Sequence, residues 1–267
     1  MPTRHIILTL GRSGSNTLVD MLNQNPEIFN FGELLGEWNQ IRKLQRRLGL
    51  FKGDDKAYIN AVLGNATIYR SANIFRNLSK ARSWSFRDLK KYRDIRTVGG
   101  KEFSLNLHKY SLKTYPFDEK NLRVIGLKRT NVLERMISNE FLAATGVVLS
   151  RSVDTDRQNR LLHLEPDTVI RKLEIISAEN RMLTNILHSI EKDRLFTLEY
   201  EDLYLDPERT IKTVRGLYSF LGVSDFTPRI RMTKIIKKNP LDSLENGDQI
   251  REIIAGSQFA KWLPRKI

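Results

Sequence analysis

The chain begins with a short apolar segment that leads through a loop of small residues directly into a helical pattern. Residues 5–10 are apolar and β-branched, as in a strand, and 11–17 run Gly-Arg-Ser-Gly-Ser-Asn-Thr. The apolar spacing that follows predicts a helix over about 15–24. A strand, a small-residue loop and a helix in this order form an anion cradle, because loop N–H groups converge and the helix N-terminus adds partial positive charge. The segment therefore predicts a phosphate or sulfate site.

The residue types in this loop suit anion binding. Gly11 and Gly14 permit a positive φ and let a ligand approach the backbone closely. Arg12 supplies a full positive charge. Further side chains can donate hydrogen bonds: Ser13, Ser15, Asn16 and Thr17. No lysine follows the glycines as it does in the nucleoside-triphosphate P-loop, which disfavours a Walker-type kinase or ATPase. A simple turn is the alternative interpretation of the loop.

Composition bounds the class of protein. The chain has 267 residues, of which 40% are hydrophobic, and this suits one α/β domain over 1–267. It has no cysteine, which excludes disulfides, thiolate metal sites and cysteine nucleophiles. The apolar runs are too short for a membrane span, and the N-terminus lacks a signal-peptide core. We expect a soluble, cytoplasmic protein.

The chain is strongly basic, with a net charge of +14. This charge favours anionic partners, either nucleic acid or a polyanionic nucleotide. The densest cluster of basic residues is Arg42-Lys43 with Arg46-Arg47, on a predicted helix. We interpret that cluster as the solvated face of the helix.

Strand and helix patterns alternate along most of the chain. They predict a mainly parallel sheet flanked by helices, an α/β fold in which ligands bind at the carboxyl ends of the strands. Residues 34–95 are predicted as a helical insertion, and about 228–267 as a basic C-terminal tail. Besides the strand at 5–10, the predicted strands lie at 28–31, within 96–107, at 121–127 and at 194–198. Besides the helix at about 15–24, the predicted helices lie at 132–144, 166–191, 206–222 and 248–255.

A second candidate anion site follows the strand at 121–127. Lys128 and Arg129 stand at the end of this strand, and Asn131 is placed to cap the helix that follows. Arg135 and Ser138 are three residues apart on that helix and therefore share a face. Arg129 and Ser138 could grip a second anionic group, although a surface helix with ordinary charges would show the same pattern. Two such sites at neighbouring strand ends suggest a ligand that is anionic at two separated points.

This combination resembles the sulfotransferases that use 3′-phosphoadenosine 5′-phosphosulfate (PAPS). Residues 11–17 are similar to the family's 5′-phosphosulfate loop, and 128–138 to its 3′-phosphate motif. Gly32-Glu33, the segments 198–203 and 206–207, and the run 220–223 also have family counterparts. The resemblance is closest to bacterial carbohydrate sulfotransferases of the nodulation-factor and trehalose type, and it spans 5 to about 225. It implies a P-loop-NTPase-like sulfotransferase fold, with Arg135 as a further 3′-phosphate contact beside Arg129 and Ser138.

The resemblance implies in-line transfer of a sulfuryl group from PAPS to an acceptor, a carbohydrate hydroxyl above all, leaving adenosine 3′,5′-bisphosphate (PAP) and requiring no metal. Arg12 and the loop amides would stabilise the developing charge. Glu33 is the first candidate for the general base, and Glu37 could replace it. His108, expected to end a strand over 103–107, is the rival base. Lys101 is a candidate contact for substrate or sulfate.

Basic residues of the tail could close over the cofactor: Arg231, Lys234, Lys237 and Lys238. Two other functions stay open at this point. A small-molecule kinase of P-loop ancestry would bind ATP with magnesium. A basic protein that binds nucleic acid non-specifically would show steep salt dependence. The sequence does not identify the acceptor or the oligomeric state.

Overall fold

A computed structural model describes residues 2–82, 88–146, 161–204, 206–231 and 239–264. Five strands form one sheet in the order β2-β3-β1-β4-β5, and every pair of neighbours is parallel. The strands are β1 (Thr3–Thr9), β2 (Ile28–Glu33), β3 (Thr97–Phe103), β4 (Leu122–Lys128) and β5 (Leu195–Glu199). The predicted mainly parallel sheet is therefore confirmed.

Helices cover both faces of this sheet. Among the described residues they are α1 (Ser15–Gln24), α2 (Gln40–Arg47), α3 (Asp55–Gly64), α4 (Ala66–Arg82), α5 (Ser104–Lys109), α6 (Tyr115–Asp118), α7 (Val132–Thr145), α8 (Val169–His188), α9 (Tyr200–Leu203), α10 (Pro207–Leu221) and α11 (Gly247–Ala255). None of these combines the length and apolar composition that crossing a membrane requires.

The central strands are apolar on both faces, as buried parallel strands are. Ile6 and Leu8 point to a core that α3 and α8 complete, whereas Ile7 points to a core completed by α1 and α10. A third cluster joins α7, α8 and α11. The assignment of the whole chain to one domain stays a prediction, and α2, α3 and α4 lie within the insertion expected at 34–95.

Glycine allows close approach at two points of the sheet. A Cβ on Gly99 would lie 2.3 Å from the ring of His5, and one on Gly126 would lie 2.5 Å from Leu187. His5 is fully buried between Thr97 and Asn30, each within 3.0 Å of a ring nitrogen. Burial, and then the charge of Lys90, lower the pKa of His5 to about 3. This histidine is therefore a neutral packing residue.

The order of the strands places a ligand-binding crevice beside β1. From β1 the chain moves to one side for β2 and β3 and to the other side for β4 and β5. In open parallel sheets, ligands bind at the carboxyl ends of the strands where the direction of winding changes. The 11–17 loop follows β1, and the β4–α7 turn at 129–131 follows its neighbour β4. Both predicted anion sites thus lie at this crevice.

The strand expected within 96–107 is shorter than predicted. It ends at Phe103, and α5 begins at the next residue. The carboxylate of Glu102 accepts hydrogen bonds from Phe103 N at 2.8 Å and Asn106 Nδ2 at 2.6 Å, which turns the chain into the helix. The prediction that His108 ends a strand is therefore wrong, because His108 lies on α5 with its side chain exposed.

Candidate functional site

The left-handed backbone that glycine would permit in the 11–17 loop occurs at Gly14 as expected, but at Arg12 rather than at Gly11. Arg12 has φ 62° and Gly14 has φ 73°, both in the left-handed region, and α1 begins at Ser15. The amides of Ser15, Asn16 and Thr17 belong to the first turn of α1, where helix N–H groups lack intrahelical partners. The loop therefore offers several backbone donors at one helix N-terminus, an arrangement that suits an anion.

Two tyrosines, Tyr200 at the start of α9 and Tyr204 just after its end, form what we call the tyrosine floor of the loop. Tyr204 OH donates a hydrogen bond of 2.8 Å to Gly14 O. A Cβ on Gly14 would lie 2.6 Å from the Tyr204 ring and 2.9 Å from the Tyr200 ring, so only glycine fits there. The guanidinium of Arg129 stacks over Tyr200, 4.2 Å from the ring centroid. The floor therefore touches both turns of the crevice.

The two turns are in direct contact. Arg129 Nη1 donates a 2.7 Å hydrogen bond to Arg12 O, and Arg12 Nε donates a 2.9 Å hydrogen bond to Ser138 Oγ. Arg129 also pairs with Glu134, with 2.6 Å between Nη2 and Oε2. The residues predicted for two separate anionic groups thus lie within one cluster, close enough for a single ligand to span.

Arg135 connects this cluster to α8. Its Nε donates to Gly11 O at 3.0 Å, its Nη1 donates to Asn180 Oδ1 at 3.1 Å, and its Nη2 pairs with Glu179. Arg135 is buried, and these protein groups occupy its donors. The geometry favours a role in which Arg135 holds the loop against α8.

The amides at the start of α7 are already occupied. Glu201 of α9 accepts hydrogen bonds from Asn131 N at 2.7 Å and from Thr130 N at 3.1 Å. Asn131 caps the helix as predicted, because its Oδ1 accepts from Glu134 N at 3.0 Å. A second anion at this turn would therefore rely on the side chains of Arg129 and Ser138 rather than on the helix amides.

The cluster holds several arginines close together and contains unsatisfied buried polar atoms. Burial, and then the charge of Arg129, lower the pKa of Arg12. Burial also lowers the pKa of Arg135, against the raising effect of Glu179. Ser13 Oγ and Arg129 Nε are buried without a hydrogen-bond partner. Because buried polar groups normally find partners, these atoms fit a ligand that carries acceptor oxygens.

A lysine connects the loop to the first candidate base. Lys101 of β3 is buried; its Nζ donates to Asn16 Oδ1 at 2.9 Å and lies 3.5 Å from Glu33 Oε2. Burial lowers the pKa of Lys101, while the charges of Glu33 and Glu102 raise it. The end of β2 and the start of α1 are thereby joined through one cation.

Glu33 opens into a cavity of about 390 Å³ lined by Phe31, Glu33, Trp38, Asn39, Gln40 and Ile41. Gly36 makes room for the Glu33 side chain, since a Cβ there would lie 2.4 Å from Glu33 Oε1. Asn39 Nδ2 donates to Glu33 O at 2.7 Å and fixes the backbone beside it. Glu33 therefore faces a space that an acceptor could enter next to the loop.

The other candidates lie outside this cavity. His108 and Glu37 are exposed, and neither lines it. Arg231 of the tail pairs with Asp88, with Nη1 3.0 Å from Oδ2. Lys234, Lys237 and Lys238 fall outside the described residues.

A larger cavity, of about 720 Å³, lies along the outer edge of β5, and its lining includes neither the 11–17 loop nor Glu33. Its lining includes Lys128, His188 and Arg209, away from the 11–17 loop. Cavity volume alone would therefore have selected a different place from the one that the chemistry of the 11–17 loop selects.

In the part of the chain that the structure describes, no group of three His, Asp or Glu side chains could hold a metal ion.

Sequence reasoning missed the residues that support the loop from other elements. These are Tyr200, Tyr204, Glu201, Glu179 and Asn180. A signal for the first three existed, because the segment 198–203 was among the motifs of the family resemblance and Tyr204 follows it directly. Nothing in the spacing of α8 marks its two residues.

The fold and site together define an α/β protein with a P-loop-like anion cradle. A sequence model described as "Sulfotransferase family" matches residues 5–228. The chain therefore belongs to the sulfotransferase family, which confirms that part of the resemblance, while the use of PAPS and the likeness to carbohydrate sulfotransferases stay predictions. A search of curated proteins finds no match.

Several solved structures are similar to the chain. A sulfotransferase from Alicyclobacillus acidocaldarius is 16% identical, with 98% of each chain covered and a TM-score of 0.45. The sulfotransferase domain of the Synechococcus PCC 7002 olefin synthase is 16% identical, covering 99% of this chain and 82% of that one, with a TM-score of 0.42. The sulfotransferase domain from the curacin biosynthetic pathway is 19% identical, covering 98% and 83%, with a TM-score of 0.43.

Proposed function

We propose that this sulfotransferase uses PAPS as the donor and transfers its sulfuryl group to a hydroxyl of a carbohydrate acceptor. The observation that carries the donor assignment is the contact between the two anion-binding turns, in which Arg129 bonds to Arg12 O and Arg12 bonds to Ser138. A nucleotide with phosphate groups on both its 3′ and 5′ positions matches such a site. The carbohydrate acceptor rests on the family resemblance.

The residues fit this donor in two groups. The loop Gly11, Arg12, Ser13, Gly14, Ser15, Asn16 and Thr17 would hold the 5′-phosphosulfate. Arg129 and Ser138 would hold the 3′-phosphate, with Arg135 positioning the loop through Gly11 O. The buried donors Ser13 Oγ and Arg129 Nε support the assignment because each has capacity for an acceptor oxygen.

PAPS would supply an activated sulfuryl group, and the chain would position the reactants and stabilise charge. By analogy with phosphoryl transfer, a loose in-line transition state places charge on peripheral and bridging oxygens. Arg12 and the first amides of α1 would stabilise that charge. Lys101, buried between Asn16 and Glu33, adds a cation at the side where the acceptor would enter.

Glu33 is the proposed general base. It lines the 390 Å³ cavity and is connected through Lys101 to the donor loop, so an acceptor hydroxyl in this cavity would lie between base and donor. His108, exposed on α5, stands as the alternative base.

The experiment is incubation of the chain with sulfur-labelled PAPS and a panel of hydroxyl acceptors, with sugars, lipid-linked sugars and phenols as separate arms. Label transferred to a sugar arm supports the proposal, and label transferred only to phenols overturns the carbohydrate acceptor. Glu33→Gln should bind PAP normally and transfer no label. Binding of ATP with magnesium, without binding of PAPS or PAP, would overturn the donor assignment.

A further inference from the structure

Residues 38–53, which we call the basic ledge, comprise a loop, α2 and the turn after it. The ledge contains five Lys or Arg and no Asp or Glu. Lys43, Arg46, Arg47 and Lys52 are exposed. Arg42 is only 1% exposed, so the predicted solvated face does not include it.

Helix α2 turns two polar side chains toward the protein beside Ile41, and it leaves leucines exposed. Arg42 and Gln45 face the protein, where Arg42 lies 3.1 Å from Asp55 and 4.5 Å from the centroid of Tyr110. Its leucines face outward: Leu44 is 57% exposed and Leu48 is 59% exposed. Surface helices normally bury their apolar side. Arg42 and Gln45 thus contact the rest of the protein, while Leu44 and Leu48 are exposed to solvent.

Other apolar side chains extend this exposed edge. Trp38, before α2, is 82% exposed, and Leu50, after it, is 49% exposed. Leu44 and Leu48 are four residues apart and share an edge of the helix, while Lys43 and Arg47 share the next edge. Cations beside an apolar edge are the pattern of helices that lie in the interface of a negatively charged bilayer.

We propose that the basic ledge binds the surface of an anionic lipid bilayer. Its leucines and Trp38 would enter the headgroup region, where Trp is favoured, and the cations would contact anionic headgroups. Charge complementarity favours this partner, since the ledge has no acidic residue. Nucleic acid would also attract the cations, but it would leave the exposed leucines without a partner.

The ledge lies next to the cavity that contains Glu33. Trp38, Gln40 and Ile41 belong both to the ledge and to the lining of that cavity. Binding to a bilayer would therefore bring the cavity to the lipid surface. If the proposed function holds, an acceptor anchored by a lipid tail would present its hydroxyl to Glu33 there; the surface binding itself does not depend on that function.

The test is co-sedimentation of the full chain with vesicles of phosphatidylcholine, with and without phosphatidylglycerol, in the absence of PAPS. We expect sedimentation only with the anionic vesicles. Lys43→Gln with Arg47→Gln should lower the partition coefficient by about 30-fold, from the usual contribution of two basic residues near such a surface. Leu44→Ser with Leu48→Ser should lower it by roughly tenfold.

Matched controls change the same residue types elsewhere. Lys113→Gln with Lys212→Gln removes two exposed cations outside the ledge, and Ile175→Ser removes an apolar side chain that is 51% exposed on α8. Both controls should sediment like the unchanged chain. A salt series measures how much net charge alone contributes to vesicle binding, and the comparison is corrected for that contribution. Equal losses in control and ledge variants would overturn the proposal.

Two further results would contradict membrane binding. One is an absence of sedimentation with anionic vesicles. The other is a leucine variant that binds as well as the unchanged chain, together with tight binding to random RNA, which would assign the ledge to nucleic acid. The fluorescence of Trp38 gives a second measurement, since its emission should shift to the blue on anionic vesicles and Trp38→Phe should abolish that change. The vesicle test contains no PAPS, so a failure to bind vesicles would not bear on the proposed function. The sulfotransfer assay tests that function separately.

Discussion

Gly14 is where the anion loop meets the tyrosine floor, and Gly14→Ala tests whether that contact shapes the site. The residue has φ 73°, and an added Cβ would lie 2.6 Å from the Tyr204 ring and 2.9 Å from the Tyr200 ring. The methyl group would therefore force the rings or the loop to move. We expect Gly14→Ala to lower both the free energy of unfolding and the affinity for PAP.

The magnitude separates into two contributions. An alanine in the left-handed region costs about 1 kcal/mol. Displacing two packed rings adds about 1–3 kcal/mol, as overpacking does in other cores. Gly146 provides a matched control, because it has φ 66° and ψ 4° and a Cβ there meets nothing within 4 Å. Gly146→Ala should therefore show only the backbone cost, whereas Gly14→Ala should lose about 2–4 kcal/mol.

The assay is urea unfolding followed by circular dichroism, with calorimetric titration of PAP on the same samples. The difference between the two alanine variants measures the contribution of the tyrosine floor. Equal losses of stability in the two variants, with equal PAP affinity, would refute the reasoning that the floor holds the loop.

Three other predictions concern single carboxylates and cations. Glu33→Gln should lower kcat by about 100-fold or more at unchanged PAP affinity, and an inactive His108→Ala beside an active Glu33→Gln would move the base assignment. Arg135→Met should cost about 3 kcal/mol in urea unfolding because Glu179 loses its buried partner; a cost near zero would exclude the positioning role. Burial raises the pKa of Glu102 to about 7 from 4.5, so its contribution to stability is full below about pH 4.5 and is lost as the pH rises through 7. Glu102→Gln should flatten the unfolding free energy across that interval, and an unchanged slope would contradict this.

Local sequence signals predicted the anion loop and the cap of α7. Gly14 adopts the left-handed conformation because it is a glycine that immediately precedes a helix. Asn131 caps α7 through its own side chain. Both depend on residues within a few positions of one another, so the chain itself encodes them. The parallel sheet followed in the same way from alternating apolar strands and helices.

Long-range partners determined what the sequence did not show. The alternation of Phe103, Leu105 and Leu107 suggested a strand, but a helix begins there beside Glu102, whose carboxylate accepts a 2.6 Å hydrogen bond from the distant Leu35 N. Arg42 was interpreted as solvated, yet Asp55 makes its burial possible. Such pairings depend on the folded arrangement, which spacing along the chain does not specify.

The contribution of Glu201 is a third case of this kind. Its carboxylate takes the amides of Thr130 and Asn131 that a second anion could have used. The second anion site stays a prediction, and the donors left for it at this turn are side chains rather than helix amides. Only the packing of α9 against α7 reveals that difference.

Under the proposed donor assignment, one nucleotide is held at both ends by the turns after β1 and β4. The most direct measurement is calorimetric titration of PAP and of adenosine 5′-monophosphate, which lacks the 3′-phosphate, into the unchanged chain and Ser138→Ala. We expect Ser138→Ala to weaken PAP binding by about tenfold or more, as loss of a hydrogen bond to a charged group does, and to weaken the monophosphate less, through the lost contact with Arg12 alone. Equal weakening of both nucleotides, or of neither, would contradict that assignment.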